Sequence, residues 1–127
     1  MNRSPLFVSI IVPTYMREVM LRETLASALA LDYSRFEILV YDQSPSHEPE
    51  TEKFLQQFAQ RENCFVFRDR TASLPRARNA AFLRARGEII LFIDDDVLLP
   101  GDFIQRHLKP FEDETIAAVS GRILYPG

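Results

Sequence analysis

The sequence predicts an α/β three-layer sandwich built on a mostly parallel, twisted sheet. Short apolar, β-branched runs alternate with segments of helical period in the order β-α-β-α-β-α-β-α-β. The polar loops of most interest follow the first, second and fourth strands, the end of such a sheet where ligands bind. A length of 127 residues suits one domain with a real core, so residues 1–127 are read as a single unit.

Residues 6–12 are compact and apolar, with β-branched side chains at Val8, Ile10, Ile11 and Val12. They read as a strand buried on both faces and ended by Pro13. From 19 to 31 the period changes, with Leu21, Leu25, Ala28 and Leu29 at helical spacing. Residues 36–41 form a second strand, and 42–47 are turn and cap residues. A helix over 50–61 puts Phe54, Leu55 and Phe58 on one face, and 64–68 is a third strand. After a polar loop, Pro75 suits a first helical turn and the helix spans 76–86, with Gly87 at C′. Residues 89–93 are the most apolar strand, followed by Asp94, Asp95 and Asp96. A further helix opens at 100–102, with Asp102 as its capping residue, and runs to about 110; residues 116–119 are a fifth strand.

Composition removes several function classes. Apolar residues are 46% and charged residues 26%, as in ordinary soluble domains. A net charge of −3 argues against a nucleic-acid partner or a broad anionic-membrane surface. Cys64 is the sole cysteine, which rules out an internal disulfide and a cysteine-based zinc site; it reads as a core residue. His47 and His107 are isolated in sequence, and neither is assigned a role. No apolar stretch approaches the roughly 20 residues of a membrane span, and no signal peptide is read. The phosphate-loop, dinucleotide and nucleophile-elbow patterns are absent, which weakens kinase, dehydrogenase and hydrolase readings.

The acidic run is the strongest chemical signal. Three aspartates after an apolar strand repel one another unless a cation or solvent compensates them. In extended backbone Asp94 and Asp96 point one way and Asp95 the other, offering two hard oxygen ligands suited to Mg²⁺ or Mn²⁺. Mg²⁺ typically takes one or two carboxylates plus substrate phosphates, which points to a nucleoside diphosphate bound through metal. Tyr15 could stack on a nucleobase, the alternative being an aromatic packed over the sheet edge. Asp42 could accept from a base or ribose, the alternative being a turn residue bonded to its own backbone. Arg76 and Arg78 open a helix, where a cation works against the dipole unless a diphosphate or an aspartate answers it.

Four motifs stand in order along the chain: Val8-Ser9-Ile10-Ile11-Val12-Pro13-Thr14-Tyr15; Val40-Tyr41-Asp42-Gln43-Ser44; Pro75-Arg76-Ala77-Arg78-Asn79-Ala80-Ala81; and Gly87-Glu88-Ile89-Ile90-Leu91-Phe92-Ile93-Asp94-Asp95-Asp96. Together they resemble those of family 2 glycosyltransferases, which have the GT-A (Rossmann-like) fold. The last resembles the strand that delivers the DXD motif. Tyr41 and Gln43 depart from the usual Val-Asp-Asp-Gly-Ser pattern, while Asp42 is retained.

The resemblance implies an inverting, metal-assisted transfer of a sugar from a nucleotide-diphosphate donor to an acceptor hydroxyl, as in polysaccharide biosynthesis. It assigns donor binding to Pro13, Thr14, Tyr15, Arg17, Asp42, Arg76, Arg78, Asp94 and Asp95. Asp96 and Asp94 would hold Mn²⁺ or Mg²⁺. Partners would be a UDP-, GDP- or dTDP-sugar and a saccharide or lipid-linked acceptor. The location would be cytoplasmic, with membrane association of a full-length protein at the inner face of the cell membrane allowed. The family's Gln-x-x-Arg-Trp motif is missing, because there is no tryptophan, and Glu112-Asp113 matches its carboxylate motif in letters only. The chain therefore reads as a truncated, donor-binding half, with the acceptor-binding half and the catalytic base expected beyond Gly127. Two readings compete with it. A non-catalytic module of the same fold predicts weak nucleotide binding, and a metal-dependent nucleotidyltransferase predicts binding of a nucleoside triphosphate.

Overall fold

The computed structural model describes residues 5–69 and 74–112, without the side chains of residues 74, 77, 78, 111 and 112. The fifth strand expected at 116–119 lies outside the described residues. The elements are β1 (Val8–Thr14), α1 (Val19–Leu29), β2 (Phe36–Asp42), α2 (Pro49–Phe58), β3 (Cys64–Arg68), α3 (Leu74–Arg84), β4 (Ile89–Phe92) and α4 (Phe103–Leu108), then a 3₁₀ turn at Lys109–Glu112.

All described pairings are parallel, in the order β3-β2-β1-β4. The order runs outward from β1 to β3 and then returns to the other side of β1 for β4. A switch point therefore opens between the carboxyl ends of β1 and β4.

The two-residue period of the strands divides the core into two layers. Val8, Ile10 and Val12 of β1 and Phe36, Ile38 and Val40 of β2 pack with Leu21, Leu25 and Ala28 of α1 and Leu55 and Phe58 of α2. Ile11, Leu39 and Tyr41 face the opposite way, against Ala81 of α3. β2 is buried along its whole length, as expected for a strand covered on both faces. β4, the most apolar strand in sequence, lies at the edge of the described sheet, and its Phe92 is exposed.

Most element ends shift by a few residues from the sequence expectation, and three details of strand end or helix cap differ for a physical reason. Pro13 does not end β1, which continues to Thr14 and pairs Pro13 with Tyr41 and Thr14 with Asp42. A proline is tolerated there because β4 pairs β1 only as far as Ile11, so no ladder partner needs the missing N–H. Helix α3 ends at Arg84, and Gly87 is not its left-handed cap, since no glycine has a positive φ among the described residues. Asp102 sits at the N-cap of α4 but makes no capping bond; its carboxylate accepts from Arg106 Nε at 2.7 Å.

Close packing explains Gly87 instead. A Cβ there would lie 2.5 Å from Ser9 N and 2.6 Å from Ser9 Oγ. Gly87→Ala is expected to destabilise the fold by about 1–3 kcal/mol, because backbone of β1 must shift to admit the methyl group. Urea denaturation of the variant measures this.

Beside Gly87 lies a buried carboxylate. Glu37 accepts from Ser9 Oγ (2.6 Å), from Arg86 N (2.8 Å) and from Arg86 Nε (3.0 Å), and Gly87 N donates to Ser9 Oγ (2.8 Å). The Arg84 guanidinium covers the Phe67 ring at 4.3 Å. Burial pushes the Cys64 thiol up to about 11, consistent with a core residue rather than a nucleophile.

Candidate functional site

Loops after β1, β2 and β4 meet at the switch point. Gln43 N donates to Thr14 O (3.0 Å), and Met16 N donates to Ser44 Oγ (2.8 Å), tying the first loop to the second. Thr14 Oγ1 donates to Asp95 Oδ2 (2.7 Å), tying the first loop to the acidic turn. Met16 holds φ at 53°, the left-handed region that costs a non-glycine residue energy and that clusters at functional loops. Tyr15, beside it, is half exposed.

The acidic run is a turn here, not extended backbone, so the alternation expected for Asp94 and Asp96 does not hold. Arg17 instead spans Asp95 and Asp96, with Nε 3.5 Å from Asp95 Oδ1 and Nη2 3.9 Å from Asp96 Oδ2. Asp94 is exposed. Burial raises the Asp95 carboxyl above its ordinary range, reinforced by the Asp96 charge, even though the Thr14 hydroxyl and Arg17 pull the other way. Two hydroxyls of α1 seat the segment behind the turn: Val97 N donates to Thr24 Oγ1 and Leu99 N to Ser27 Oγ, each at 3.0 Å.

Asp42 lies at the end of β2 with its side chain fully buried. Its Oδ1 accepts from Ser44 N (3.0 Å), an Asx-turn bond to its own local backbone. Its Oδ2 meets His47 Nε2 at 2.7 Å and lies 3.6 Å from Arg68 Nη1. The other His47 nitrogen, Nδ1, meets Glu18 Oε2 at 2.6 Å, and Glu48 N donates to Glu18 Oε1. Arg68 also grips Glu52 through both terminal nitrogens. Arg76 Nε donates to Asp69 Oδ2 (3.1 Å), an oxygen that also accepts from Tyr41 OH (3.2 Å). Asp69 N donates in turn to Asp42 O (2.9 Å). Arg76 thus stands at the rim next to Asp42. The Arg78 side chain lies outside the described residues.

The structure therefore gathers Pro13, Thr14, Tyr15, Arg17, Asp42, Arg76, Asp94, Asp95 and Asp96 at one end of the sheet. Sequence reasoning passed over Glu18, His47 and Arg68, and it did not single out Thr24 or Ser27. His47 follows Asp42 by five positions, but Glu18 joins them only through the pairing of β1 with β2.

The donor set is of hard oxygens, the kind that Mg²⁺ or Mn²⁺ takes. Among the described residues no group of three or more His, Cys, Asp or Glu side chains could hold an ion by itself. A cation held by two of these carboxylates would draw its remaining ligands from elsewhere. Among the described residues no helix is long and apolar enough to cross a membrane.

Comparison with known proteins bears on the family and the fold. The sequence model of the family described as Glycosyl transferase family 2 matches residues 9–127. Hyaluronan synthase of Streptococcus pyogenes is 29% identical over 123 residues, covering 91% of this chain and 29% of the synthase. The S. aureus TarS 1-349 structure in complex with UDP-GlcNAc superimposes with a TM-score of 0.71 at 29% identity, covering 86% of this chain and 32% of that one. The mannosyltransferase PcManGT of Pyrobaculum calidifontis, in complex with GDP-Man and Mn²⁺, gives 0.76 at 26% identity, covering 89% and 34%. The chain spans about a third or less of the length of these relatives. The architecture is the GT-A fold, and the chain belongs to glycosyl transferase family 2.

Proposed function

We propose that this chain is the donor-binding half of an inverting glycosyltransferase that moves a sugar from a nucleoside diphosphate to an acceptor hydroxyl. The observation that carries the reading is the meeting of three loops at the β1/β4 switch point, locked by the Thr14–Asp95 bond. The relatives crystallised with UDP-GlcNAc and with GDP-Man and Mn²⁺ support a nucleotide-sugar donor and a divalent cation.

On this reading Tyr15, above Pro13 and Thr14, stacks on the base, and Asp42 accepts from it. The Asp42 carboxylate is closed to solvent behind the bonds to Ser44 and His47, so a base N–H reaches it only once the covering loop shifts. Arg76 and Arg78 serve the diphosphate. Asp94 and Asp95 approach ribose and sugar, and Asp96 with Asp94 holds Mn²⁺ or Mg²⁺. Arg17, bridging Asp95 and Asp96, offsets their charge and keeps the turn in shape. The cation, when bound, supplies charge neutralisation for the departing diphosphate. The reading leaves the general base and the acceptor site unassigned among these residues. The domain is treated as one nucleotide-sugar-binding unit over 1–127, acting in the cytoplasm.

Calorimetric titration with UDP, GDP and dTDP, each with and without Mn²⁺, tests the reading. One diphosphate should bind, with an affinity that depends on the cation. A folded protein that binds none of the three would overturn it and favour a module that keeps the fold without the chemistry.

A further inference from the structure

Behind the donor site, Glu18, His47 and Asp42 form a relay of short contacts. The His47 side chain is fully buried, with a carboxylate oxygen 2.6 Å from Nδ1 and another 2.7 Å from Nε2. Both neighbours only accept while ionised, so both short contacts are hydrogen bonds at once only if both ring nitrogens carry protons. A neutral imidazole would aim a lone pair at one of the two carboxylates.

We propose that His47, as an imidazolium, is a positioning residue for the donor site: it holds the Asp42 carboxylate in place and makes donor affinity fall as pH rises. The proposal rests on the donor-site reading above. The relay also joins the loops. Glu18 is at the start of α1, next to Arg17, and accepts from Glu48 N at the start of α2. Losing the His47 proton would therefore loosen Asp42 and the Arg17 segment together.

The charged groups around His47 favour its proton. Glu18 faces it from the β1–α1 loop and Asp42 from the end of β2. On the far side of Asp42, Arg68 of β3 lies 3.6 Å from Oδ2, and Glu52 of α2 answers it at 2.8 Å. Burial opposes the charge on His47, but the bonds and charges of Glu18 and Asp42 outweigh it and raise its pKa above the ordinary 6.5. The sign for stability follows. The folded state keeps a proton that the unfolded chain gives up first, so the relay's contribution is complete below the unfolded pKa and is lost as pH rises through the folded one.

The test has two arms. In the first, the imidazole signals of the wild-type protein are followed by NMR, with His107→Gln and His47→Gln each assigning them independently. The His47 midpoint should lie above 6.5; a midpoint at or below that value overturns the proposal even if the variant does not fold. In the second, affinity for whichever of UDP, GDP or dTDP binds with Mg²⁺ is measured from about pH 6 to about pH 9. Wild-type affinity should fall roughly tenfold across the His47 titration, the scale of one charge-assisted hydrogen bond. His47→Gln should bind roughly tenfold more weakly at low pH and show no such fall. A flat wild-type profile, or the same fall in His47→Gln, overturns the role of His47 and leaves the donor site standing. Absence of binding by the folded wild type at every pH removes the donor-site reading, and this proposal with it.

Discussion

Replacing Asp96 by alanine is expected to lower cation-supported affinity for a nucleoside diphosphate by about a hundredfold or more. Loss of groups that merely support a metal ligand already costs about 10–100-fold, and on the proposed function this change removes the ligand itself. The same substitution should leave the melting temperature of the unliganded protein unchanged or slightly raised. Asp96 has only a 3.9 Å approach to Arg17 to lose, and its charge adds to the cost of the buried Asp95 carboxylate. Opposite signs for binding and folding are what a carboxylate retained for a cation would show. Titration with Mn²⁺ and a diphosphate, beside thermal melting without either, measures both. Equal loss of binding and of fold would make Asp96 a structural residue.

The second large effect lies at the other end of the sheet. Glu37→Ala should destabilise the fold by about 3 kcal/mol, because it leaves the Ser9 hydroxyl and the Arg86 amide without their acceptor and empties a buried position. That is a large share of the roughly 5–15 kcal/mol by which such domains are stable. Glu37→Gln keeps an acceptor oxygen and should cost about 1 kcal/mol. Since Ser9 and Glu37 pair near the start of β1 and β2, while Thr14 and Asp42 pair at their ends, diphosphate binding by folded Glu37→Gln should match the wild type. Urea denaturation and titration of the same variant separate the two quantities.

Much of this fold is legible along the chain because its signals are local. The β-branched run around Ile10 and the helical spacing of Leu21, Leu25 and Ala28 each identify one element without reference to another. The strand at Cys64–Arg68 matches its predicted bounds, and the meeting of the three loops follows from the alternation of strand and helix alone. The misplaced details depend on partners distant in sequence. Pro13 reads as a terminator until the shortness of β4 shows that no neighbour needs its N–H. Gly87 resembles a helix cap until Ser9, 78 residues away, is seen against it.

The site divides in the same way. Thr14, Tyr15 and the aspartates are visible because residue type and position after a strand already carry their chemistry. Glu18, 29 positions before His47, acquires a partner only through the sheet. Arg17 could have been a solvated loop cation, and only the turn at Asp95 and Asp96 gives it two carboxylates to span. Thr24 and Ser27 sit on the inner side of a helix, where a hydroxyl carries no sequence mark of the backbone N–H it will meet.

On the proposed function, the acidic turn and a nucleoside diphosphate hold one divalent cation between them. This is tested most directly by the enhancement of water-proton relaxation that bound Mn²⁺ produces. Mn²⁺ alone should bind this chain weakly. Adding whichever of UDP, GDP or dTDP the site accepts should form a ternary complex with a new enhancement, lost in Asp96→Ala. A ternary complex that survives Asp96→Ala and Asp94→Ala, or no enhancement with any of the three diphosphates, would contradict the account.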